Sequence, residues 1–236
     1  MSTKPLQGRI ALVTGASRGI GAATAEALAG HGAHVILSAR STDGLEEVED
    51  RIHANGGSAT IAPVDLAEQD AIARLAAATA ERWDRLDCLV ISAAYLPLLT
   101  PVAHIEAKEF GKALTVNVLA TQALLAAFDP LLRRSEQGRI IGLTSSVGRA
   151  PRAYWGAYAA TKAAFETLLD CHALEVGKIS GTRVAIIDPG ATATSMRARA
   201  FPGEDATTLK SSTVVGERIA NLLVNDFDNG HRERVN

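Results

Sequence analysis

Tyr158 and Lys162 stand four residues apart, a spacing that puts both side chains on one face of a helix, one turn from each other. A free phenol has a pKa of ~10 and exchanges protons sluggishly near neutrality. An ammonium within ~4–6 Å favours the phenolate and would pull that value down by ~1–3 pH units, towards general acid–base work. Taken alone the pair is weak, because a tyrosine and a lysine one turn apart on an exposed helix also arise by chance. Ser145 precedes Tyr158 by 13 residues and closes an apolar run. Open α/β sheets place ligand groups at such strand ends, and a hydroxyl there would donate to a substrate oxygen and stabilise charge developing on it. Thr144 and Ser146 are rival hydroxyls at the same place.

Near the start, Thr14-Gly15-Ala16-Ser17-Arg18-Gly19-Ile20-Gly21 follows one apolar run and opens a helical stretch. Glycines let backbone N–H groups come close to a pyrophosphate, and a helix N-terminus favours its negative charge. The G-x-x-x-G-x-G spacing is a variant of the dinucleotide fingerprint and sits at the strand–helix junction where that fingerprint belongs. The competing reading is a tight turn that needs glycine for steric reasons alone. No metal is expected.

Both constellations need a frame. Arg9–Thr14, His34–Ala39, Ala59–Val64, Cys88–Ser92, Arg139–Thr144 and Arg183–Ile187 are short, nearly all-apolar runs, as expected of parallel strands covered on both faces. Between them Gly19–Gly30, Thr42–Asn55, Ala67–Trp83, Ala107–Leu132 and Tyr154–Gly177 carry apolar residues at helical spacing, and a last helix is expected near Val214–Val224. This alternation predicts an α/β fold: a right-handed, doubly wound, Rossmann-type parallel sheet of six or seven strands with helices on both faces. No linker or repeat interrupts residues 1–236, so a single NAD(P)-binding domain is expected. Residues 191–212 lack apolar periodicity and read as a substrate-side flap.

Twenty-four basic against twenty-six acidic residues give a net charge of −2 without long charged blocks, so neither nucleic acid nor a membrane surface is an expected partner. Cys88 and Cys171 lie in apolar stretches, which argues for a reducing compartment. Met1–Pro5 has no leader character and no run of ~18 apolar residues occurs later, so a cytoplasmic protein is expected.

The glycine loop Thr14–Gly21, Asn117 inside a helical pattern, Ser145 and Tyr158-x-x-x-Lys162, in that order, resemble the classical short-chain dehydrogenase/reductase family from about Arg9 to Met196. Ser145–Arg149, Trp155–Tyr158, Met196–Ala198 and Phe201-Pro202 look most like a bacterial YciK-like branch. The resemblance implies hydride transfer between a nicotinamide cofactor and a small carbonyl/alcohol substrate. Tyr158 would then exchange the proton, Ser145, the better match because Gly148 completes a Ser-x-x-Gly pattern, would hold the substrate oxygen, and Lys162 would also bond the nicotinamide ribose. Asn117 would help hold a water that relays protons to Lys162. Cofactor contacts would come from Gly15, Ser17, Arg18, Gly19, Ile20 and Gly21, from Asp65 and Leu66 at the adenine, and from Ala93. Pro189, Gly190, Thr192 (through its backbone) and the Thr194 hydroxyl would serve the carboxamide end. For Asp65 a helix N-cap is an equally good reading, and for Pro189-Gly190 the plain alternative is a turn.

Arg40 stands where an acidic residue would bind the ribose 2′-hydroxyl of NAD. With Arg18 it suits a 2′-phosphate, so NADP (NADPH) is expected over NAD, although both could be ordinary surface arginines. The family's usual Asn-Asn-Ala-Gly is replaced by Ile91-Ser92-Ala93-Ala94, which puts cofactor affinity and geometry in question, and no final family strand is recognisable. Tyr95, Leu96, Leu98, Tyr154, Trp155 and Met196 offer apolar walls for a substrate; Arg149, Arg152, Arg197 and Arg199 offer anion partners. Ala107–Phe128 and Tyr154–Gly177 are apolar round much of their circumference; the resemblance implies that these helices pair in a homodimer or homotetramer, and burial within the monomer is the alternative. A catalytically silent dinucleotide-binding sensor or regulatory module is the competing function.

Overall fold

Apolar strand runs with no polar face must be covered twice, and they are. The computed structural model describes residues 4–68 and 70–236. Among these, β1 (Ile10–Thr14), β2 (His34–Ala39), β3 (Ser58–Pro63), β4 (Cys88–Ile91), β5 (Arg139–Leu143), β6 (Arg183–Asp188) and β7 (His231–Arg234) form one sheet in the order β3-β2-β1-β4-β5-β6-β7. Every neighbouring pair is parallel. Side chains alternate between two cores with the period of two that strands impose. Ala11, Val13, Val35, Leu37, Ala185 and Ile187 face α1 (Gly19–Gly30), α2 (Thr42–Ala54) and, near the C-terminus, Ser212–Asn225. Ile10, Leu12, Ile36, Ile140, Val184 and Ile186 face α3 (Ala71–Trp83) and the long helices that follow β4 and β5.

The expected helix over Ala107–Leu132 is three pieces: α4 (Ala107–Leu114), a π-helical turn (Thr115–Leu119) and α5 (Ala120–Leu132). A π turn inserts an extra residue into the ladder and often marks functional positions; here it carries Asn117. By length and composition this run is apolar enough to cross a membrane, contrary to the expectation of no such run, but Leu124, Phe128 and Leu132 are packed against the sheet. Next come α6 (Gly156–Val176), the short α7 (Ser195–Ala200) and α8 (Ser212–Asn225).

The seventh strand, left open from the sequence, forms without a single apolar residue. Its alternate side chains are anchored by charge: Arg232 reaches Glu166 and Asp170 on α6, while Glu233 meets Arg218 on α8. Asn229 secures its entry, accepting from the Val184 N–H and donating to the Ala173 carbonyl. Strand order reverses between β1 and β4, and in open sheets the crevice outside the carboxyl ends at that point is where ligands bind.

Candidate active site

Four loops leave the carboxyl ends of β1, β4, β5 and β6 on one side of the sheet. After β1, Gly15 (φ +68°) faces the loop after β4: a Cβ on it would lie 2.9 Å from the Ala93 Cα. A Cβ on Gly21 would lie 2.2 Å from the Gly15 carbonyl oxygen, so the turn closes only around glycine. The turn delivers α1 with Arg18 at its N-cap position and no side-chain cap, which leaves first-turn amides without a side-chain acceptor. The glycines therefore meet the steric demand of a tight turn, and the first turn of α1 carries no side-chain cap. Arg18 and Arg40 are exposed, and neither guanidinium has a hydrogen bond or ion pair with the described residues. Ser17 packs against the first turn of α2, where a Cβ on Gly44 would lie 3.1 Å from the Ser17 Cβ.

The loop after β4 is tied down by Thr14. Its hydroxyl accepts from the Ser92 and Ala93 amides (3.1 and 3.2 Å) and donates to the Val90 carbonyl. Asn117 in the π turn grips the same loop further on. Its Oδ1 accepts from the Tyr95 amide (2.7 Å), and its Nδ2 donates to the Tyr95 carbonyl and to Thr161 Oγ1 (both 2.9 Å). This side chain is thus a clamp between the β4 loop and α6. Asp65 accepts from the Ala67 amide in a local turn, and α3 starts only at Ala71, so Asp65 does not cap that helix.

Tyr158 and Lys162 lie one turn apart on α6, both buried. Lys162 Nζ donates to the Leu143 carbonyl at the end of β5 (2.7 Å) and sits 4.5 Å from the Phe165 ring centre. Burial lowers its pKa to about 8, against the charge of Glu166, which raises it. Tyr158 packs among Leu96, Val147 and Ala159, with its hydroxyl 4.0 Å from Met196 Sδ. Burial, followed by the charge of Asp188, pushes its phenol up rather than down. The expected pull towards phenolate is outweighed because the ammonium is turned to the Leu143 carbonyl and lies 5.8 Å from the phenol ring centre.

Ser145 follows β5 in extended backbone and opens a 3₁₀ turn over Ser146–Gly148. Its hydroxyl borders a cavity of about 110 Å³ shared with Ser146, Val147, Trp155, Phe201 and Arg152. Thr144 is removed from competition, since its hydroxyl donates to Glu166 (2.6 Å). Beyond β6, Gly190 has φ +63° and the Thr192 hydroxyl donates to the Pro189 carbonyl. Thr194, expected to offer its hydroxyl to a ligand, accepts from the Arg197 amide and caps α7. Its Cγ2 would stand 3.5 Å from a Cβ on Gly19, so the β6 loop abuts the glycine turn.

The sequence profile of short chain dehydrogenases matches residues 9–205. The chain belongs to that family. YciK of Escherichia coli (strain K12), an uncharacterized oxidoreductase, is 39% identical over 209 residues, 87% of this chain and 82% of that protein. A short chain dehydrogenase from Pseudomonas syringae superposes with a TM-score of 0.95 at 37% identity, covering 100% of this chain and 97% of that one. Another, from Escherichia coli CFT073 and complexed with NADPH, gives 0.91 at 35% identity over 100% and 99%.

Within this short-chain dehydrogenase, the segment Ile91–Ala94 is tied to the neighbouring strand β1 by the Thr14 hydroxyl. Of the apolar walls expected, Leu98 and Tyr154 are largely exposed, and the Tyr95 hydroxyl donates to Glu109 (2.6 Å). Two of the four candidate arginines have carboxylate partners: Arg149 bonds Glu166, and Arg197 bonds Glu204. Arg199 donates to the Leu96 carbonyl. Sequence reading missed Glu166, which accepts from Thr144, Arg149 and Arg232 at 2.6–2.7 Å. The signal was present, because Tyr158, Lys162 and Glu166 recur every four residues on one helix. Burial pushes the Glu166 carboxyl up, but these three donors outweigh it and hold it below the usual carboxylate range. Also missed were Asp188 and Arg234, both at the cavity.

Proposed function

We propose that this protein is an NADP-dependent oxidoreductase interconverting a carbonyl compound and its alcohol, with Tyr158 as the general acid and base. The observation that carries the proposal is the convergence, at the carboxyl ends of β4, β5 and β6, of Tyr158, Lys162 and Ser145 beside an uncapped glycine turn. The open first-turn amides of α1 suit a pyrophosphate, and the unpaired Arg18 and Arg40 suit a 2′-phosphate. The NADPH bound by the Escherichia coli CFT073 relative supports the same choice. Asp65, Leu66, Ala93, Pro189, Gly190 and the Thr192 backbone would complete the cofactor's surroundings.

NADPH bound there would supply the hydride for the carbonyl carbon. The Ser145 hydroxyl donates to the carbonyl oxygen and steadies the charge that grows on it. Tyr158 gives that oxygen its proton; burial keeps the phenol protonated at rest, the form a reduction needs. As the proton leaves, the Lys162 ammonium, held by the Leu143 carbonyl, stabilises the phenolate. Asn117 and Thr161 fix the backbone of α6 beneath the pair, since Thr161 also bonds the Tyr158 carbonyl (2.8 Å). We take residues 191–212 as a substrate-side flap, because Met196 within them brings its sulfur to 4.0 Å from the Tyr158 hydroxyl, the atom a substrate must reach. That contact is also the observation favouring the second reading, a dinucleotide-binding module without turnover. Exposed Leu119 and Leu174 beside α5 and on α6 support pairing of two or four copies through these helices.

Tyr158→Phe decides between the readings, since it removes one hydroxyl whose only partner among the described residues is a distant sulfur. Folding and NADPH binding, followed by fluorescence, should survive. Turnover of a carbonyl panel, followed by NADPH absorbance, should fall at least ~10²–10⁴-fold, the usual worth of general acid catalysis. A folded variant with full kcat would remove Tyr158 from the chemistry.

A further inference from the structure

The cavity beside Ser145 is chemically lopsided. Val147, Trp155 and Phe201 give it an apolar wall, with the Trp155 and Phe201 rings 5.7 Å apart. Three arginines line the remainder. Arg197 is already neutralised, since it forks onto Glu204 and lies 3.8 Å over the Phe201 ring. The Arg152 guanidinium makes no hydrogen bond or ion pair with the described residues, its backbone carbonyl alone accepting from the Trp155 amide. Arg234 comes only within 3.9 Å of Asp188, whose other oxygen accepts from the Gly190 amide. Elsewhere the chain pairs such guanidiniums closely: Arg139, Arg183, Arg218 and Arg232 each meet a carboxylate at 2.6–2.9 Å. Arg152 and Arg234, with the Lys210 ammonium beside Gly190, therefore outnumber Asp188 and leave a surplus of positive charge around a space that also holds the proposed oxyanion donor.

We infer that the substrate is a compact oxo or hydroxy acid, its carboxylate bound by Arg152 and Arg234 while its carbonyl meets Ser145. This rests on the oxidoreductase reading above. A surplus of positive charge suits an anionic group, and a planar guanidinium matches a planar carboxylate with two parallel bonds. At about 110 Å³ the cavity holds far more than the ~10–15 Å³ that one water needs and has room for a compact acid. Arg152 comes from the loop between β5 and α6 and Arg234 from β7, so the otherwise polar last strand supplies a binding group as well as an edge.

The test uses the full chain with NADPH and three oxo acids, pyruvate, acetoacetate and levulinate, whose carbonyls lie progressively further from the carboxylate. Each is compared with its methyl ester, and dihydroxyacetone phosphate is the phosphate arm. At least one acid should exceed its ester in kcat/KM by about tenfold or more, the scale of a charge-assisted hydrogen bond. Added salt should erode that preference. Arg152→Ala, which breaks no side-chain hydrogen bond or ion pair within the described residues, should bring the acid-to-ester ratio to near one through KM, and Arg152→Lys should restore part of it. A binding arm is independent of turnover: butanoate titrated calorimetrically into the NADPH-loaded protein should bind saturably, butanamide should not, and Arg152→Ala should abolish the signal. Esters reduced as well as acids, with no butanoate binding, would overturn the carboxylate site and leave the oxidoreductase reading standing. Butanoate binding that needs Arg152, with no carbonyl compound reduced, would overturn the oxidoreductase reading and leave the anion site. A preference for the phosphate ester over every acid would overturn the carboxylate assignment.

Discussion

Replacing Lys162 by methionine should change how the stability of the cofactor-free protein responds to pH, by an amount that follows from the burial of its ammonium. Lys162 is 3% exposed, and burial lowers its pKa from 10.5 to about 8. Below about pH 8 both the folded and the unfolded chain hold the proton, and the folded chain bears the full cost of a buried charge. Between about 8 and 10.5 the unfolded chain binds a proton that the folded chain does not, so raising the pH favours the folded state. At ~1.4 kcal/mol per pH unit the wild type should gain about 3 kcal/mol relative to Lys162→Met across that window. The bond lost at the Leu143 carbonyl is a pH-independent offset, and Tyr158 titrates in both proteins, so neither alters the slope of the difference. Urea unfolding followed by tryptophan fluorescence at a series of pH values would read this as a relative midpoint shift of about 1 M, for a slope near the upper end of ~1–3 kcal/mol/M. Parallel stability curves for the two proteins would refute the reasoning, because they would mean the Lys162 amine titrates alike folded and unfolded.

Two further outcomes are expected. Arg40→Asp removes a cation from the proposed 2′-phosphate position and adds an anion there; NADPH affinity should fall at least tenfold while NADH loses less, reversing the preference in a fluorescence titration, and equal affinities in the parent protein would sink the assignment. Glu166→Ala strips the acceptor from Thr144, Arg149 and Arg232; partial exposure of both arginines moderates the loss, which should be about 2–3 kcal/mol in denaturant unfolding, whereas an unchanged midpoint would show the network to be incidental.

Much of the frame was legible because parallel strands covered on both faces carry a local signature. Six apolar runs alternating with helical stretches specify the doubly wound sheet, and the first strand–turn–helix junction locates the glycine loop without any long-range information. The four-residue step from Tyr158 to Lys162 likewise places both on one helix face. The seventh strand was not legible: His-Arg-Glu-Arg has no apolar residue, and its place in the sheet depends on Glu166, Asp170 and Arg218, far away in sequence.

The sequence by itself determined the element order and the residue types that reach the carboxyl edge of the sheet, because periodicity and turn chemistry are properties of neighbouring residues. Tertiary structure alone decided protonation and partnership. Tyr158 and Lys162 shift in the directions set by burial, which no spacing records, and the π turn aims Asn117 at Tyr95 and Thr161, which a regular helical pattern does not disclose. Which arginines remain unpaired depended on where Glu166 and Glu204 fold to. Charge pairing and desolvation act through space between segments that the chain keeps apart, so only the assembled fold sets them.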